Sequence, residues 1–268
     1  MPVSDPVQTH APEEDLAFIE DAAREAGRVA MRYFRRDPEV WWKEGASPVS
    51  QADLEVDQFL REHLLQARPS YGWLSEETAD NKERLLAPRT FVVDPIDGTR
   101  AFIDGREVWC VSVAVVENGR AIAGVLDCPA SDEFFSAARG GGAHRNGEPI
   151  RVKNAGRDLA LAGPKNMMNR LPPALYARVS PHPYVPSLAY RIGLVASGML
   201  DATFIKPASH DWDLAAADVI LSEAGGSIVD GKHRRPQYAG PNPQLGALAA
   251  GSGDLLRIMS GVVGKLQG

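Results

Sequence analysis

The sequence predicts a mixed α/β fold of the α+β kind, and three observations lead to this prediction. Near the N-terminus, apolar residues recur at three- and four-residue steps, which is the period of a helix. The middle of the chain contains short apolar runs separated by tight-turn residues, as in an antiparallel meander. The last third alternates strands with helical stripes. At 268 residues, the chain can form one domain with two halves or two small domains.

Composition and charge exclude several classes of partner. The chain is 44% hydrophobic and 24% charged, with a net charge of −6 and no basic stripe, so we expect no nucleic-acid duplex as a partner. Its apolar runs are too short to span a membrane, and residues 1–10 form a loose polar leader rather than a signal peptide. Cys110 and Cys128 lie in apolar runs, so we expect reduced core cysteines and a soluble, cytoplasmic protein.

Two helices are predicted first. From Pro12, an acidic first turn leads into an apolar stripe at helical spacing that ends near Pro38. A second amphipathic stripe begins after Ser50, and Asp53 three residues later resembles the second member of a capping pair. Capping is a structural role, so Asp53 by itself does not indicate catalysis.

The next apolar stretch runs into two acidic residues. Leu74 and Ser75 are followed by Glu76 and Glu77, as expected of a strand that ends in a site, although glutamates are more often solvated surface residues. Residues 78–89 are charged, and we expect them to form a mobile connection to the following strand.

A hexapeptide in the centre of the chain carries the strongest signal for chemistry. Residues 90–93 predict a buried strand that delivers Asp94 to the sheet edge. Because Pro95 has no N–H group, we expect the strand to stop there and the chain to turn, bringing Asp97 back toward Asp94. The two carboxylates and the Ile96 carbonyl between them are hard oxygen ligands suited to magnesium or manganese.

Phosphate donors follow these carboxylates directly. Gly98 and Thr99 present backbone N–H groups and a hydroxyl, which form an anion site if a helix begins there. Metal ligands and phosphate donors within six residues indicate phosphoryl chemistry. Asp-Pro and Asp-Gly pairs are also common turn formers, so this segment alone leaves an ordinary loop as an open alternative.

An antiparallel meander is predicted after this turn. Two apolar runs, residues 110–116 and 121–126, flank the pair Asn118-Gly119, which is a strong hairpin signal. Three glycines at residues 140–142 lack the lysine and the hydroxyl residue of a phosphate-binding loop, so we assign them to a turn.

The last third of the chain mixes irregular and regular segments. Residues 163–186 are rich in proline, asparagine and methionine, and they form either a substrate-facing segment or a surface excursion. Further along, Ser209, His210 and Asp211 are the residue types of a hydrolase triad, but three consecutive side chains cannot adopt its geometry. Asp213 precedes a predicted helix, where capping is the structural alternative to a role in a site.

Three separated motifs together resemble the defining motifs of the inositol monophosphatase superfamily. They are Glu76-Glu77, the segment from Asp94 to Thr99, and Trp212-Asp213 with a helix closed by Glu223-Ala224-Gly225-Gly226. The resemblance implies a layered α-β-α-β-α sandwich of the inositol monophosphatase and fructose-1,6-bisphosphatase type, and a homodimer. We divide the chain into the leader, an N-terminal half over residues 11–155 and a C-terminal half over residues 156–268.

The resemblance also implies a magnesium-dependent, lithium-sensitive phosphatase with two or three metal ions, for which manganese is a possible substitute. Glu76, Asp94 and the Ile96 carbonyl would hold a first ion, and Asp94, Asp97 and Asp213 a second. Asp97 and Asp213 would also line the substrate position. Two such ions clamp the attacking and leaving oxygens of an in-line displacement, so no covalent nucleophile is needed.

The remaining roles fall on residues beside these ligands. The resemblance implies that Thr99 and Asp53 position and activate the attacking water on the ion held by Glu76. The N–H groups of Gly98 and Thr99 would bind the phosphate of a small phosphate ester.

Lys206 bears on the choice of substrate. Inositol phosphatases of the superfamily typically carry a glutamate seven residues before the aspartate that matches Asp213, and here that position is Lys206. A cation there would attract a second phosphate of the substrate, unless it merely points to solvent. Residues 43–49 and 100–103 also look closer to bacterial 3'(2'),5'-bisphosphate nucleotidases and histidinol-phosphate phosphatases.

The leading hypothesis is therefore hydrolysis of 3'-phosphoadenosine 5'-phosphate to AMP. Inositol 1-phosphate and histidinol phosphate are rival substrates within the same class. A regulatory binding protein that keeps the fold is the alternative from another class.

Overall fold

The computed structural model describes residues 10–43, 47–180 and 182–267. Most of the predicted leader, residues 1–9, and residues 44–46 of the segment 43–49 lie outside the described residues. The helices are α1 (Pro12–Met31), α2 (Gln51–Ala67), α3 (Thr99–Ile103), α4 (Lys165–Met168), α5 (Pro173–Tyr176), α6 (Leu188–Ala196), α7 (Ala215–Glu223) and α8 (Gly253–Gln267).

The strands fall into two large sheets and two short pairs. In chain order they are β1 (Val40–Trp42), β2 (Pro48–Ser50), β3 (Gly72–Ser75), β4 (Thr90–Asp97), β5 (Cys110–Glu117), β6 (Arg120–Cys128), β7 (Glu133–Ala138), β8 (Gly142–Arg145), β9 (Glu148–Ile150), β10 (Leu159–Ala162), β11 (Val179–Ser180), β12 (Ala202–Ile205), β13 (Ser209–His210), β14 (Ser227–Val229), β15 (Gln244–Leu245) and β16 (Leu248–Gly251). The short pairs are β1 with β2 and β13 with β15.

The first large sheet has seven strands in the order β3-β4-β5-β6-β7-β8-β9. Strands β3 and β4 are parallel, and every later neighbour is antiparallel, as the predicted meander requires. The hairpin between β5 and β6 turns at Asn118 and Gly119, whose φ angles of 51° and 76° are both positive, as a tight two-residue turn requires. The hairpin prediction is therefore confirmed.

Helices cover both faces of this sheet. On one face, the apolar stripes of α1 and α2, including Ile19 and Leu60, pack against Phe91 and Val113. On the other face, α6 and α7 pack against β5, β6 and β7. Gly124 on β6 permits this close approach, because a Cβ atom there would lie 2.6 Å from Val219 Cγ1. Burial of apolar surface on both faces fixes the sheet between its helices.

The second large sheet completes the layers. Its strand order is β11-β10-β12-β16-β14, and α8 packs on β12 and β16 through apolar residues such as Leu256 and Met259. The layers are thus helix pair, sheet, helix pair, sheet and helix, so the predicted α-β-α-β-α sandwich is confirmed. Cys110 and Cys128 are buried and free, as expected. Among the described helices, none is both long and apolar enough to cross a membrane.

Three local expectations need correction. Helix α1 ends at Met31 and not near Pro38, because the chain continues in turns and Arg35, with a φ of 59°, leaves the right-handed helical conformation. Pro95 does not end its strand, because β4 continues to Asp97 through an irregularity in its pairing with β5, where a missing N–H is tolerated. The connection over residues 78–89, which we expected to be mobile, is anchored to the C-terminal half. Arg84 is 3% exposed and donates hydrogen bonds to the carbonyls of Ala239, at 2.6 Å, and Gly240, at 3.0 Å.

Candidate active site

Three carboxylates from distant parts of the chain meet at one end of the seven-stranded sheet. Asp94 and Asp97 lie on β4, and Asp213 lies two residues before α7. One oxygen of each lies within 4.8 Å of the others. The structure therefore brings together the three aspartates that the sequence places in one metal site.

An extra residue in β4 puts Asp94 and Asp97 on the same side of the sheet. Asp94 pairs with Ser112 and Asp97 with Cys110, so β4 advances three residues while β5 advances two. In a regular strand, residues three apart point to opposite faces, and the extra residue of a bulge removes that difference. Pro95 lies inside the bulge, and the N–H of Ile96 donates to Asp94 Oδ1 at 3.1 Å. The turn predicted from Pro95 is thus a bulge.

Asp97 is held by the start of α6. Its Oδ2 atom accepts hydrogen bonds from the Ser187 hydroxyl at 2.6 Å and from the Ala189 N–H at 2.5 Å. Ser187 also caps α6 by accepting from the N–H of Tyr190 at 3.1 Å. A helix N-terminus stabilises a negative charge, so this contact favours the ionised form of Asp97.

Asp53 caps α2 and reaches the site at the same time. Its Oδ2 atom accepts from the Ser50 N–H at 2.8 Å and from the Ser50 hydroxyl at 2.5 Å, which confirms the predicted capping pair. Its Oδ1 atom lies 3.1 Å from the Thr99 hydroxyl, which is also 3.1 Å from the Ile96 carbonyl oxygen. A threonine has one hydroxyl proton, so it donates to only one of these acceptors at a time.

Gly98 fits its position because it has no side chain. Its φ is 99°, and a Cβ atom there would lie 3.1 Å from Ser187 Cβ and 3.2 Å from the Val108 carbonyl oxygen. Thr99 begins α3 immediately afterwards, so the predicted helix start at this point is present. The first N–H groups of a helix have no acceptor within the helix.

Glu76 lies beside the three aspartates but is paired with a lysine. Its Oε1 atom is 3.2 Å from Lys43 Nζ, which also contacts Glu77 Oε1 at 2.6 Å. The Glu76 N–H donates to the carbonyl of Val93 at 3.3 Å, next to Asp94. Lys43 was not singled out as a site residue from the sequence, because its contact with the acids depends on the β1–β2 hairpin folding over them.

Burial and mutual repulsion make these carboxylates hard to ionise together. Burial, and then the charges of Glu76, Asp97 and Asp213, raise the pKa of Asp94 well above its ordinary value. Burial raises the pKa of Asp97 to about 6, and burial together with Asp97 raises that of Asp213 to about 8. Burial also raises the pKa of Asp53 to about 6. Carboxylates crowded in this way are stabilised by a bound cation.

A cavity of about 380 Å³ opens above these acids. Its lining comprises Ser47, Pro48, Glu76, Asp94, Asp97, Gly98, Thr99, Arg100, Tyr184, Pro186, Leu188, Lys206, Ser209 and Asp213. Tyr184 and Pro186 belong to the irregular segment 163–186, so part of that segment does face the site. Lys206 lines the cavity, and its charge counteracts the rise in the pKa of Asp213.

The donor set fits a hard divalent cation. The three clustered side chains are all carboxylates, with no cysteine or histidine among them, and carboxylate oxygens suit magnesium and manganese rather than zinc. None of the three forms an ion pair with a lysine or arginine of the described residues, so a bound cation would favour their ionised forms.

Residues 11–257 match the inositol monophosphatase family. The chain belongs to this family. One relative is the inositol-1-monophosphatase of Rhizobium meliloti, which is 30% identical over 92% of this chain and 95% of the relative. The histidinol-phosphatase of Chlorobaculum parvum is 32% identical over 82% of this chain and 87% of the relative. The 3'(2'),5'-bisphosphate nucleotidase CysQ of Aggregatibacter actinomycetemcomitans is 28% identical over 86% of this chain and 92% of the relative. The crystal structure of the extragenic suppressor protein SuhB from Bartonella henselae aligns with a TM-score of 0.80 at 27% identity, covering 94% of this chain and 99% of that one.

Membership in the family establishes the general activity. Inositol monophosphatases hydrolyse phosphomonoesters, so this chain is a phosphatase that acts on small phosphate esters. The family is generally metal-dependent, in agreement with the cluster of three aspartates. The relatives differ in the substrate that they are named for, so the substrate of this chain must be inferred from its cavity.

Proposed function

We propose that this phosphatase removes the 3'-phosphate from 3'-phosphoadenosine 5'-phosphate, releasing AMP, with magnesium as its metal. The observation that supports this choice is the position of Lys206. It lines the same cavity as the aspartate cluster and lies close enough to affect the pKa of Asp213. A cation at this distance attracts a second phosphate group of a substrate whose first phosphate is at the metals.

The metal roles follow from the donors in the cavity. Glu76, Asp94 and the Ile96 carbonyl would hold one ion, and Asp94, Asp97 and Asp213 another. When bound, such ions lower the pKa of a coordinated water and neutralise the charge that develops on the phosphate. Lys43 competes with a metal ion for Glu76, because its ammonium group lies 3.2 Å from Glu76 Oε1.

We expect Thr99 and Asp53 to take the proton of the attacking water. When the Thr99 hydroxyl donates to Asp53 Oδ1, its lone pairs remain available to accept a hydrogen bond from water. The proton can then pass from the water to Thr99 while the proton of Thr99 passes to Asp53. Asp53 suits this role because burial raises its pKa to about 6, near the pH at which a base works well.

Gly98 and Thr99 supply neutral donors for the phosphate. Both residues lie at the start of α3, where backbone N–H groups lack helical acceptors. Donors fixed by the backbone need no reorganisation as charge develops on the phosphate oxygens. Their role is therefore to orient the phosphoryl group against the water held by Thr99.

The cavity discriminates among the three candidate substrates through charge. Histidinol phosphate carries an ammonium group, which Lys206 would repel. Inositol 1-phosphate offers only hydroxyl groups, and the glutamate that typically contacts them is replaced by Lys206. A bisphosphate nucleotide places an anion near Lys206, and Tyr184, which is 72% exposed at the cavity wall, offers an aromatic face for a base.

An assay with the three substrates and magnesium tests the proposal. We expect kcat/KM for the bisphosphate to exceed the others at least about tenfold, which corresponds to about 1.4 kcal/mol. Lys206→Glu should lower hydrolysis of the bisphosphate and spare that of the monophosphates. Lys232→Glu, an identical charge change at an exposed residue that does not line the cavity, is the control.

Other outcomes would contradict the proposal in different ways. Equal loss on all substrates after Lys206→Glu removes the reason for preferring the nucleotide. A preference for inositol 1-phosphate or histidinol phosphate keeps the phosphatase and changes its substrate. No turnover of any of them favours a regulatory binding protein. Activity with manganese, inhibition by lithium and a homodimer in solution are further expectations, checked by the same assay and by light scattering.

A further inference from the structure

Asp57 is a buried carboxylate near the candidate site, and within the described chain its side chain accepts hydrogen bonds from the end of β3 and the loop that follows it. It lies on α2 and is 7% exposed. Its Oδ1 atom accepts a hydrogen bond from the Ser75 hydroxyl, and its Oδ2 atom accepts one from the Thr78 hydroxyl at 2.6 Å. These two residues flank Glu76 and Glu77 on both sides. The carboxylate of Asp57 therefore bonds to both ends of residues 75–78, the segment that carries the proposed metal ligand Glu76.

Two further hydrogen bonds connect residues 73–78 to one another. The N–H of Glu77 donates to the Ser75 hydroxyl at 3.3 Å, and the indole N–H of Trp73 donates to the Thr78 hydroxyl at 3.3 Å. Each hydroxyl thus donates to Asp57 and accepts from the chain beside it. Hydrogen bonds to a charged acceptor are stronger than neutral ones, so Asp57 is the strongest acceptor in this network.

Asp57 lies on the same face of α2 as Asp53, the proposed base. Asp53 and Asp57 are four residues apart on α2, which places them on neighbouring turns of one face. Asp53 contacts Thr99, and Asp57 contacts the residues that flank Glu76; both Thr99 and Glu76 line the cavity. One helix therefore contacts both the proposed water-activating pair and the segment of the proposed metal ligand.

We propose that Asp57 is a positioning residue that orients Glu76 for metal binding through the hydroxyls of Ser75 and Thr78. This inference rests on the proposed role of Glu76 as a metal ligand. Stability alone gives little reason for Asp57, because a buried carboxylate without an arginine or lysine partner in the described chain carries a desolvation penalty. Groups that orient metal ligands typically change metal affinity or activity about 10- to 100-fold when removed.

The test compares metal binding by the full-length wild-type protein and by variants, measured by calorimetry with magnesium and by Mn²⁺ electron paramagnetic resonance without substrate. We expect Asp57→Ala to raise the dissociation constant of one metal site about tenfold. The double variant Ser75→Ala with Thr78→Val should give a similar increase. Combining all three substitutions should add less than about a further twofold, because residues that act through one network are not additive. Thr78→Ser keeps the hydroxyl and should retain wild-type binding.

A neighbouring residue separates positioning from simple stability. Val56 precedes Asp57 on α2 and is fully buried in the core, so Val56→Ala should lower the melting temperature without changing the metal constants. If Asp57→Ala behaves like Val56→Ala, with a lower melting temperature and unchanged metal constants, the positioning role is wrong. Multiplicative effects of Asp57→Ala and the double variant would also overturn it. If the wild-type protein binds no divalent metal, the proposed function itself fails, which is a separate result.

Discussion

Two clusters of buried acidic residues in this protein are built in opposite ways. Asp15 on α1 is fully buried, and its carboxylate accepts hydrogen bonds from Arg89 at 2.7 Å and from the Tyr71 hydroxyl at 3.0 Å. Arg68 Nε lies 3.6 Å from its other oxygen. The cluster of Asp94, Asp97 and Asp213 places three carboxylates within 4.8 Å of one another, with no such cationic partner in the described residues.

The presence or absence of a cationic partner separates a structural buried acid from a candidate metal ligand. At Asp15, two arginines and a hydroxyl compensate the cost of burying a charge, so the protein itself completes the cluster. At the three aspartates, burial and repulsion raise the pKa of every member, and we expect a bound metal ion to supply the positive charge that the described residues do not. Four predictions test this contrast.

The largest effect is expected from Asp94→Asn in the three-aspartate cluster. Because Asp94 is shared by both proposed metal positions, we expect kcat/KM to fall at least about a hundredfold, the upper range for changes in residues that merely support ligands. In EDTA, the variant should be at least as stable as the wild type, because one repelling charge is gone. Phosphatase assays and urea unfolding measure the two quantities. Retained activity, or a loss of stability in EDTA, would contradict the contrast.

Asp15→Asn should act on stability and not on catalysis. The substitution removes the charged acceptor of Arg89 and the Tyr71 hydroxyl, while Arg89 keeps its ion pair with Glu117. Because hydrogen bonds to a charged group are lost, we expect the free energy of unfolding to fall by about 1.5–3 kcal/mol. Urea unfolding measures the loss, and activity per folded molecule should match the wild type. Glu13→Gln, an exposed residue in the same helical turn, is the control and should change stability by less than about 0.5 kcal/mol. A specific loss of kcat would place Asp15 in the functional class.

The metal-free protein should lose stability as the pH rises. The pKa values of Asp97, at about 6, and Asp213, at about 8, lie above the ordinary value of 3.8, so the folded state holds protons that the unfolded state releases. That stabilisation is complete below about pH 4 and is lost progressively as the pH rises to about 8. In EDTA, the melting temperature should therefore fall across this range, by roughly 2–4 °C for each kcal/mol lost.

Magnesium provides the control for the pH experiment. A bound cation favours the ionised carboxylates, so at saturating magnesium the fall in melting temperature with rising pH should be smaller or absent. Parallel curves with magnesium and with EDTA would show that these aspartates do not bind the metal.

Lys43→Met should give the smallest change in stability. It tests whether the lysine charge partly stabilises the acidic cavity when no metal is bound. Lys43 contacts Glu76 and Glu77, and its side chain is 31% exposed, so the pair contributes about 1 kcal/mol or less. We expect a small loss of stability in EDTA that disappears at saturating magnesium. Urea unfolding in both conditions measures it. An equal loss with and without magnesium would mean that Lys43 supports the fold and not the acidic cavity.

Much of the fold could be predicted because the sequence patterns that indicate its helices, hairpins and turns lie within a few consecutive residues. The apolar stripes of α1 and α2, the capping pair of α2, the hairpin at Asn118 and Gly119, and the turn over residues 140–142 each depend on a few neighbouring residues. The bulge in β4 was predicted as a simple turn. Its presence depends on how β5 pairs with β4, which no property of the hexapeptide itself reveals.

In the candidate site too, some features were predicted from the sequence and others appear only in the structure. The sequence predicted Asp94, Asp97 and Asp213 together through a family resemblance, and the structure places them in contact distance. It did not predict that Lys43 pairs with Glu76, that the start of α6 holds Asp97, or that Asp57 binds the residues flanking Glu76. Each of these contacts joins segments more than 15 residues apart, and single residues of common types give no sign of such partners.

From the sequence we predicted most of the helices and strands, the expected oxygen ligands and phosphoryl chemistry, because residue type, spacing and local hydrogen bonding act over a few positions. Only the three-dimensional packing settles which buried acids are paired with arginine and which have no cationic partner among the described residues. The physical reason is that burial and electrostatic interaction depend on distance in space. The same carboxylate is stabilised at Asp15 and repelled at Asp94 only because of what the fold packs around it.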